Sequence, residues 1–279
     1  MVSLAESGAT LPRYGLPTGC DGGCVLPMSF EVRRVDGPEI AGLRARRVEE
    51  MSGQVVHHSI HQRPGWTVTH GLELDGRWVG FGSVAIAGPW AGRPTLFEFH
   101  LDPVHRCRAF EAFEAYLGAS GARHFEVQTS DGLLTVMLHA FGERVISEKI
   151  VFADHQVTTL TADGAVLRRV TPIEEIQMAM LYRRGGGEWI LECQGKTVGK
   201  GGILFHYNEP YGDVHMEIAE PFRRQGLGSF LVQELKRCCR DLGAVPAARC
   251  NVGNIPSRQT LQRAGFAPRG HMLLGDVRP

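Results

Sequence analysis

The stretch Arg223-Arg224-Gln225-Gly226-Leu227-Gly228 decides the expected fold of this chain of 279 residues. From Leu227 onward, apolar residues recur at steps of four, four, three and four, which is the spacing of one helix face. Immediately upstream, residues 214–218 alternate between apolar and polar side chains as a strand does, and Pro221 prevents that strand from continuing in a sheet. The glycine pair therefore joins a strand to a helix.

Glycines at such a turn favour the binding of an anion. They let the backbone approach a ligand closely, while the free amides and the positive dipole end of the following helix stabilise negative charge. Arg223 and Arg224 add positive charge for a phosphate. Because the chain has 35 glycines, a short pattern of this kind is weak by itself, and a helix-start turn without a ligand is the alternative.

The residues that follow give the turn a specific meaning. Asn254-Ile255-Pro256-Ser257 precedes a predicted helix, which ends at Gly265-Phe266. The order of strand, Arg-x-x-Gly-x-Gly, helix, strand, Asn-x-x-Ser, helix and Gly-Phe resembles the GCN5-related N-acetyltransferase (GNAT) superfamily over about residues 195–275. The resemblance implies an α/β (α+β) fold, with a mixed, mostly antiparallel sheet flanked by helices. It also implies acyl transfer with acetyl-CoA as the co-substrate.

The same resemblance assigns cofactor contacts by position. Ala219, at the end of the strand, would contact the pantetheine arm. Asn254 and Ser257 match the second cofactor motif of the family. The contacts to the pyrophosphate would come from Arg224, Gln225, Gly226, Leu227, Gly228 and Ser229.

Two side chains are candidates for the general base that an amine nucleophile needs near neutral pH. Strand alternation places His215 and Glu217 on the same side as Ala219. His215 needs little tuning of its pKa, whereas Glu217 needs a raised pKa or a water relay, and we favour Glu217 slightly. Each could equally be a hydrogen-bonded structural group. Many family members carry a Tyr as general acid seven residues after the Asn, but this chain has Leu261 there.

An internal repeat indicates a second copy of the same unit. Gly76 and Gly195 open two similar strands, Glu98 and Glu217 lie in the strands that follow, and both pairs are 119 positions apart. Two tandem copies explain this spacing, and chance similarity between generic hairpin and helix units is the alternative. The pattern predicts strands at residues 78–87 and 196–206, and Thr171-Pro172-Ile173-Glu174 predicts a helix start between the copies.

The expected organisation is a disordered tail at residues 1–27, a degenerate GNAT-like domain at 28–160 and a cofactor-binding GNAT domain at 161–279. The first copy lacks the glycines of the second. When the two are aligned on Pro103 and Pro221, Arg108 and Phe110 stand opposite Gly226 and Gly228. We expect the first copy to bind no coenzyme A and to support the second domain or shape its acceptor pocket.

The composition narrows the partners and the compartment. Thirty basic residues balance thirty acidic ones without a basic block, which argues against nucleic acid as a partner. We expect no export signal and no membrane span, since no stretch of about 18 apolar residues occurs. Seven cysteines, with Cys238 and Cys239 adjacent on a predicted helix, fit a reducing cytoplasm.

No metal is expected. Cys20 and Cys24 have no second pair at zinc-site spacing, so they are interpreted as free thiols. His57 and His61 are four residues apart, as metal ligands on a helix are, but no third ligand is evident. With His58 they are interpreted as a solvated segment or one that contacts the acceptor.

The sequence thus predicts transfer of an acetyl group from acetyl-CoA to a primary amine of an unidentified small molecule or protein. Mycothiol synthases are a similar tandem arrangement with a working C-terminal copy, and this is the second possibility within the class. From another class, Leu261 favours a non-catalytic sensor that binds acyl-CoA. A purely structural interaction protein is the third possibility, and it requires an empty glycine loop.

Overall fold

The computed structural model describes residues 29–171 and 189–279, which form one twelve-stranded sheet with helices packed on it. The first half contains β1 (Glu31–Arg34), α1 (Ala41–Met51), β2 (Thr67–Leu74), β3 (Arg77–Ala85), β4 (Thr95–Leu101), α2 (Ala109–Ser120), β5 (His124–Gln128), α3 (Gly132–Phe141) and β6 (Gly142–Asp154). The second half contains β7 (Ala165–Arg169), β8 (Trp189–Cys193), β9 (Lys196–Leu204), β10 (Tyr211–Ile218), α4 (Leu227–Asp241), β11 (Val245–Asn251), α5 (Ile255–Arg263) and β12 (Phe266–Val277). Neighbouring strands are antiparallel except in the pairs β4–β5 and β10–β11, so the predicted mixed, mostly antiparallel sheet is confirmed.

From β2 in the first half and β8 in the second, the described residues repeat the same order of strands and helices, as the internal repeat predicts. The strands predicted at residues 78–87 and 196–206 are β3 and β9, and each ends two residues earlier than expected. The predicted tail and the helix start after Thr171 lie outside the described residues.

The last strands of the two halves are exchanged. The sheet runs β1-β2-β3-β4-β5-β12-β6-β11-β10-β9-β8-β7, so β12 of the second half pairs with β5 of the first, and β6 of the first half pairs with β11 of the second. Met272 lies opposite Gln128 in one junction, and Ala247 lies opposite Ala153 in the other. The order is the same when it is read from either end with the halves interchanged, which is a pseudo-twofold arrangement. Separation of the two halves would therefore expose the edges of the exchanged strands.

Each half has its own apolar core on the sheet. In the second half, Leu227, Leu231 and Leu235 of α4 are buried against the strands, as the spacing predicts. The last two positions of the expected stripe are not buried: Cys238 is partly buried and Leu242, just beyond the end of α4 at Asp241, is 47% exposed. The buried cysteine of this turn is Cys239 instead. None of the described helices is both long and apolar enough to cross a membrane.

A buried ion cluster fills the first half at the point where β4 and β5 diverge. These strands pair only at Thr95 and Leu96, and the Arg47 side chain of α1 occupies the space beyond. Its guanidinium donates to Glu98 Oε1 at 3.0 Å and to Asp131 Oδ2 at 2.8 Å. Burial would raise the pKa of Glu98, but the nearby His61 and Arg47 outweigh burial and hold this pKa well below its usual range.

We expect Glu98→Gln to lower the free energy of unfolding at pH 7 by about 3–5 kcal/mol, because a buried Arg47 loses one of its charged partners. Since the folded-state pKa of Glu98 is lowered from 4.5, its carboxylate stabilises the wild type fully above pH 4.5 and progressively less below it. The deficit of the variant should therefore narrow as the pH falls below 4.5, measured by urea unfolding. Glu111→Gln, which removes an exposed ion pair with Arg108, is the control and should leave the free energy of unfolding nearly unchanged, because solvent screens the pair. A deficit of Glu98→Gln that does not change with pH would contradict the assignment.

Candidate active site

A groove of about 690 Å³ lies where β10, the loop before α4 and the start of α5 meet. Seven of the predicted site residues line it: Glu217, Arg224, Gly226, Gly228, Ser229, Asn254 and Ser257. The other four, His215, Ala219, Gln225 and Leu227, are not among its lining residues. Leu227 is buried in the core beneath the groove, and Ala219 and Gln225 are exposed at the strand end and in the loop.

The loop between β10 and α4 has the geometry of an anion cradle. Arg224 and Gly226 both have positive φ values, of 63° and 80°, and Gly226 is the N-cap residue directly before α4. A Cβ built at Gly226 meets no atom within 4 Å, so the space above the loop is open. The amides of the first turn of α4 have no acceptor within the helix, and the positive dipole end points into the same space. The loop therefore offers backbone donors to a phosphate group.

Arg223 has a structural role that the sequence does not show. Its Nε donates to the carbonyl of Ile218 at 3.0 Å, which ties the loop to the end of β10. Arg106 makes the same bond to Leu101 in the first half, also at 3.0 Å. The bond is thus common to both repeats, and Arg224 is the freer of the two predicted phosphate-binding arginines.

Asn254 caps α5. Its Oδ1 accepts a hydrogen bond from the Ser257 amide at 3.1 Å, and the equivalent Asp131 caps α3 in the same way. Asn254 and Ser257 hold the start of α5 on the far side of the groove from the glycine loop. Asn254 and Ser257 therefore stabilise the start of α5 through this hydrogen bond, and both also line the groove.

The two candidate bases have different surroundings. Glu217 is 58% exposed at its side chain and lies 3.5 Å from the Lys200 ammonium. His215 is half-buried, and burial together with Lys200 lowers its pKa from the usual 6.5. A neutral imidazole at physiological pH can accept a proton, so His215 has the electrostatics of a base.

Leu261, which replaces the family's usual Tyr, is 4% exposed and packs in the core of the second half. Sequence reasoning missed Gln259 and Arg263, which line the groove from α5, and their place on the helix that Asn254 begins was the available signal. Thr260, which can assist the leaving thiolate with Ser257, lines the groove as well.

Asp213, His206 and Arg249 form a polar group that the sequence did not reveal. Asp213 lies two residues before His215 in β10, so alternation places the two side chains on the same face. Asp213 Oδ2 lies 3.3 Å from His206 Nε2 and 3.6 Å from Arg249 Nε. Burial raises the pKa of Asp213 to about 6, although Arg249 opposes the shift. Strand alternation from His215 could have indicated Asp213, but no sequence signal marks His206, which lies in a loop.

The first half has no equivalent cradle. Where the second half has its glycine loop, a 3₁₀ helix, Pro103–Arg108, runs directly into α2. Phe110, opposite Gly228, is 52% exposed. Of the predicted histidines, His61 binds Glu98 and His57 binds Glu126, and within residues 29–171 and 189–279 no three potential ligands cluster as a metal site would require.

The two loop glycines should respond in opposite ways to alanine. Gly226→Ala should lower the free energy of unfolding by about 1–2 kcal/mol, because its φ of 80° is left-handed. Gly228→Ala should raise it by about 0.5–1 kcal/mol, because a Cβ there would lie 3.4 Å from its nearest neighbour and alanine favours a helix. Chemical denaturation measures both. A destabilised Gly228→Ala would show that this glycine is retained for packing instead of for ligand access.

Comparisons with known proteins agree with this geometry. The sequence model of the acetyltransferase (GNAT) family matches residues 159–266. No curated protein matches the sequence. A GNAT-family acetyltransferase from Colwellia psychrerythraea is similar in structure, with a TM-score of 0.71 and 11% identity over 89% of this chain and 100% of that one.

Two further solved structures have the same fold. A GCN5-related N-acetyltransferase from Sphaerobacter thermophilus has a TM-score of 0.58 and 15% identity, covering 91% of this chain and 98% of its own. A tandem GNAT protein from the clavulanic acid biosynthesis pathway has a TM-score of 0.56 and 13% identity, covering 90% and 99%. At these identities the likeness shows the fold alone.

Proposed function

We propose that this chain, whose residues 159–266 match the acetyltransferase (GNAT) family model, transfers an acetyl group from acetyl-CoA to a primary amine at its C-terminal half. The match indicates acyl transfer at the level of the family. The observation that carries the proposal is the groove of about 690 Å³, into which the glycine loop and the starts of α4 and α5 all open. We assign the pyrophosphate of the cofactor to the loop amides of residues 224–229, with Arg224 adding charge.

β10 and β11, beside the groove, diverge at the place where the acceptor amine would reach the acyl group. β10 and β11 pair only from Tyr211 to Asp213, and beyond that the backbone of β10 has an open edge toward β11. Ala219 ends this stretch, and its amide already donates to Val198 at 3.0 Å. The open backbone groups between Asp213 and Ala219 can pair with the amides of a pantetheine arm, as an added strand would. Acetyl-CoA supplies an activated thioester there.

The first half is proposed to be silent, because its own gap is filled. Arg47 inserts between β4 and the start of α3, and its guanidinium donates to the Phe97 carbonyl at 3.4 Å. Phe97 belongs to the open part of β4, which is the counterpart of the open part of β10. A side chain of this protein therefore occupies the position that a pantetheine arm takes in the second half.

His215 is the proposed base, with Glu217 as the alternative. A half-buried imidazole with a lowered pKa is neutral at pH 7 and can take the proton of the attacking amine. Glu217 is more exposed and engaged with Lys200. Since Leu261 is buried and has no proton to give, the thiolate would leave with help from water or from Ser257 or Thr260, which line the groove.

The buried Leu261 also favours the second candidate function, a non-catalytic acyl-CoA sensor. Turnover separates the two, because a sensor binds acetyl-CoA without releasing coenzyme A to any amine. For either function we propose a cytoplasmic location without nucleic acid or membrane as partner. The free thiols of the described cysteines Cys107, Cys193, Cys238, Cys239 and Cys250 support a reducing compartment.

Calorimetric titration with acetyl-CoA should give one site per chain. Gly228→Glu should abolish binding, because its carboxylate would stand in the groove near the proposed phosphate position. Gly118→Glu, the same change at an exposed glycine of α2 in the first half, is the matched control and should bind as the wild type does. Two sites per chain would overturn the silent first half. Absence of binding in the wild type would overturn the transferase and the sensor together.

Steady-state release of coenzyme A tests the base. We expect His215→Ala to lower kcat/KM by about 10²–10⁴-fold and Glu217→Gln to lower it by less than about tenfold. Since the pKa of His215 is lowered from 6.5, wild-type kcat/KM should rise with pH through a value below 6.5, and this limb should disappear in His215→Ala. A large loss in Glu217→Gln with the limb retained in His215→Ala would identify the carboxylate as the base.

A further inference from the structure

A second cavity, of about 360 Å³, lies at the centre of the sheet, and His206, which lines it, is near enough to His215 for a charge on one imidazole to affect the other. Both halves line it, with His57 and Trp90 from the first and His206 and Arg249 from the second. Glu126 and Arg249 occupy equivalent positions of the two repeats, so the cavity lies on the pseudo-twofold relation between the halves. Its volume is that of a pocket for a small molecule.

The cavity carries an excess of positive charge. Arg63, Arg93, Lys149 and Arg249 line it, against two carboxylates, Glu126 and Glu148. Both carboxylates are already engaged. Glu126 accepts from Trp90 Nε1 at 2.8 Å and lies 2.9 Å from His57 Nε2, and Glu148 lies 2.7 Å from the Lys149 ammonium.

The three guanidinium groups of the cavity keep positive charge that no carboxylate of the described residues fully neutralises. The Arg63 Cζ lies over the Trp66 ring, 4.4 Å from its centroid. Within the described part of the chain, no carboxylate lies within salt-bridge distance of Arg63 or Arg93. Arg249 is only partly neutralised by Asp213 at 3.6 Å. The combined effect of burial, Arg249 and Arg63 lowers the pKa of His206 to about 4, so the imidazole between them stays neutral.

This cavity borders the same gap as the cofactor groove, from the other face of the sheet. β10 and β11 last pair at Asp213 and Ala247, and the residues two positions beyond are His215 and Arg249. Met216 and Ile218, on the alternate positions of β10, line the groove. Arg249 and His215 therefore lie on the two strands that border this gap, and a ligand held by Arg249 in the cavity lies at the start of the gap.

The geometry points to a specific class of acceptor: the central cavity binds a small primary amine that also carries a carboxylate, of the amino-acid type. Arg63 and Arg249 hold the carboxylate with charge-assisted hydrogen bonds. The amine, a bond or two away, then faces the gap and His215. The nearby guanidinium groups also favour the uncharged form of the amine, which is the nucleophile. In the reaction, the amine nitrogen forms a bond to the acetyl carbon, the carbon–sulfur bond breaks, the thiolate leaves and the amine proton passes to His215. This assignment rests on the proposed function.

The test compares the standard amino acids with their α-carboxamides as acceptors, by release of coenzyme A from acetyl-CoA. Each amide keeps the amine and the side chain and loses only the negative charge, and its less basic amine is uncharged in a larger fraction of molecules at neutral pH, which favours the amide in the absence of a carboxylate site. We expect the best acid to exceed its amide in kcat/KM by about tenfold or more. In Arg63→Gln the ratio should fall toward one through a higher KM for the acid, with acetyl-CoA binding unchanged. Arg63 is exposed, so this variant should fold.

Arg77→Gln, an exposed arginine of β3 outside both cavities, is the control and should retain the wild-type ratio. Amides that react as well as acids, or a ratio that Arg63→Gln leaves unchanged, would overturn the carboxylate site while the transferase function stands. If no acid and no amide releases coenzyme A, this inference fails. Calorimetric binding of acetyl-CoA, measured in parallel, separates the two failures: retained binding leaves the proposed function standing with another amine as acceptor, and absence of binding overturns it as well.

Discussion

The reciprocal pairing of β12 with β5 and of β6 with β11 is the constraint on which the rest of the structure depends. Through it the backbone hydrogen bonds of one half are completed by the other, and the two cores share one sheet. The exchange also places β5, β6, β11 and β12 side by side at the centre, where their side chains line the cavity between the halves. A chain with one copy could not build this cavity, because half of its walls would be missing.

Both halves contain a parallel pair of strands that diverges, and the opening is filled in one half and free in the other. In each, a parallel pair of strands holds together for only two or three residues and then diverges, which exposes backbone donors and acceptors. In the first half Arg47, Glu98 and Asp131 fill the opening with a buried ion-paired network. In the second half the opening stays free beside a groove, and Arg224 and Gly226 adopt left-handed conformations there. Unsatisfied backbone and local strain of this kind are typical of ligand sites.

Features that depend on neighbouring residues could be predicted from the sequence. Features that depend on contacts between distant residues could not. The strand, glycine turn and helix around Gly226 were predictable because adjacent residues determine them. The repeat was visible because equal spacing preserves the order of elements. The exchange of β6 and β12 was not, because the order of elements does not say which edge a strand joins. His206 and Arg249 were missed for the same reason, since 43 positions separate them, and the inserted Arg47 is 51 positions from Glu98.

The alternation of side chains along β10 explains how one strand can serve two substrates. Met216 and Ile218 line the groove and pack near α4, while Asp213 lies against His206, which lines the central cavity. A thioester in the gap beyond Asp213 would be reached from the groove by its pantetheine arm and from the cavity by an amine. The strand thus separates the two ligands except at the gap, where its pairing with β11 stops. Because the cavity side needs walls from both halves, a first copy that binds no cofactor still has a physical role in acceptor binding.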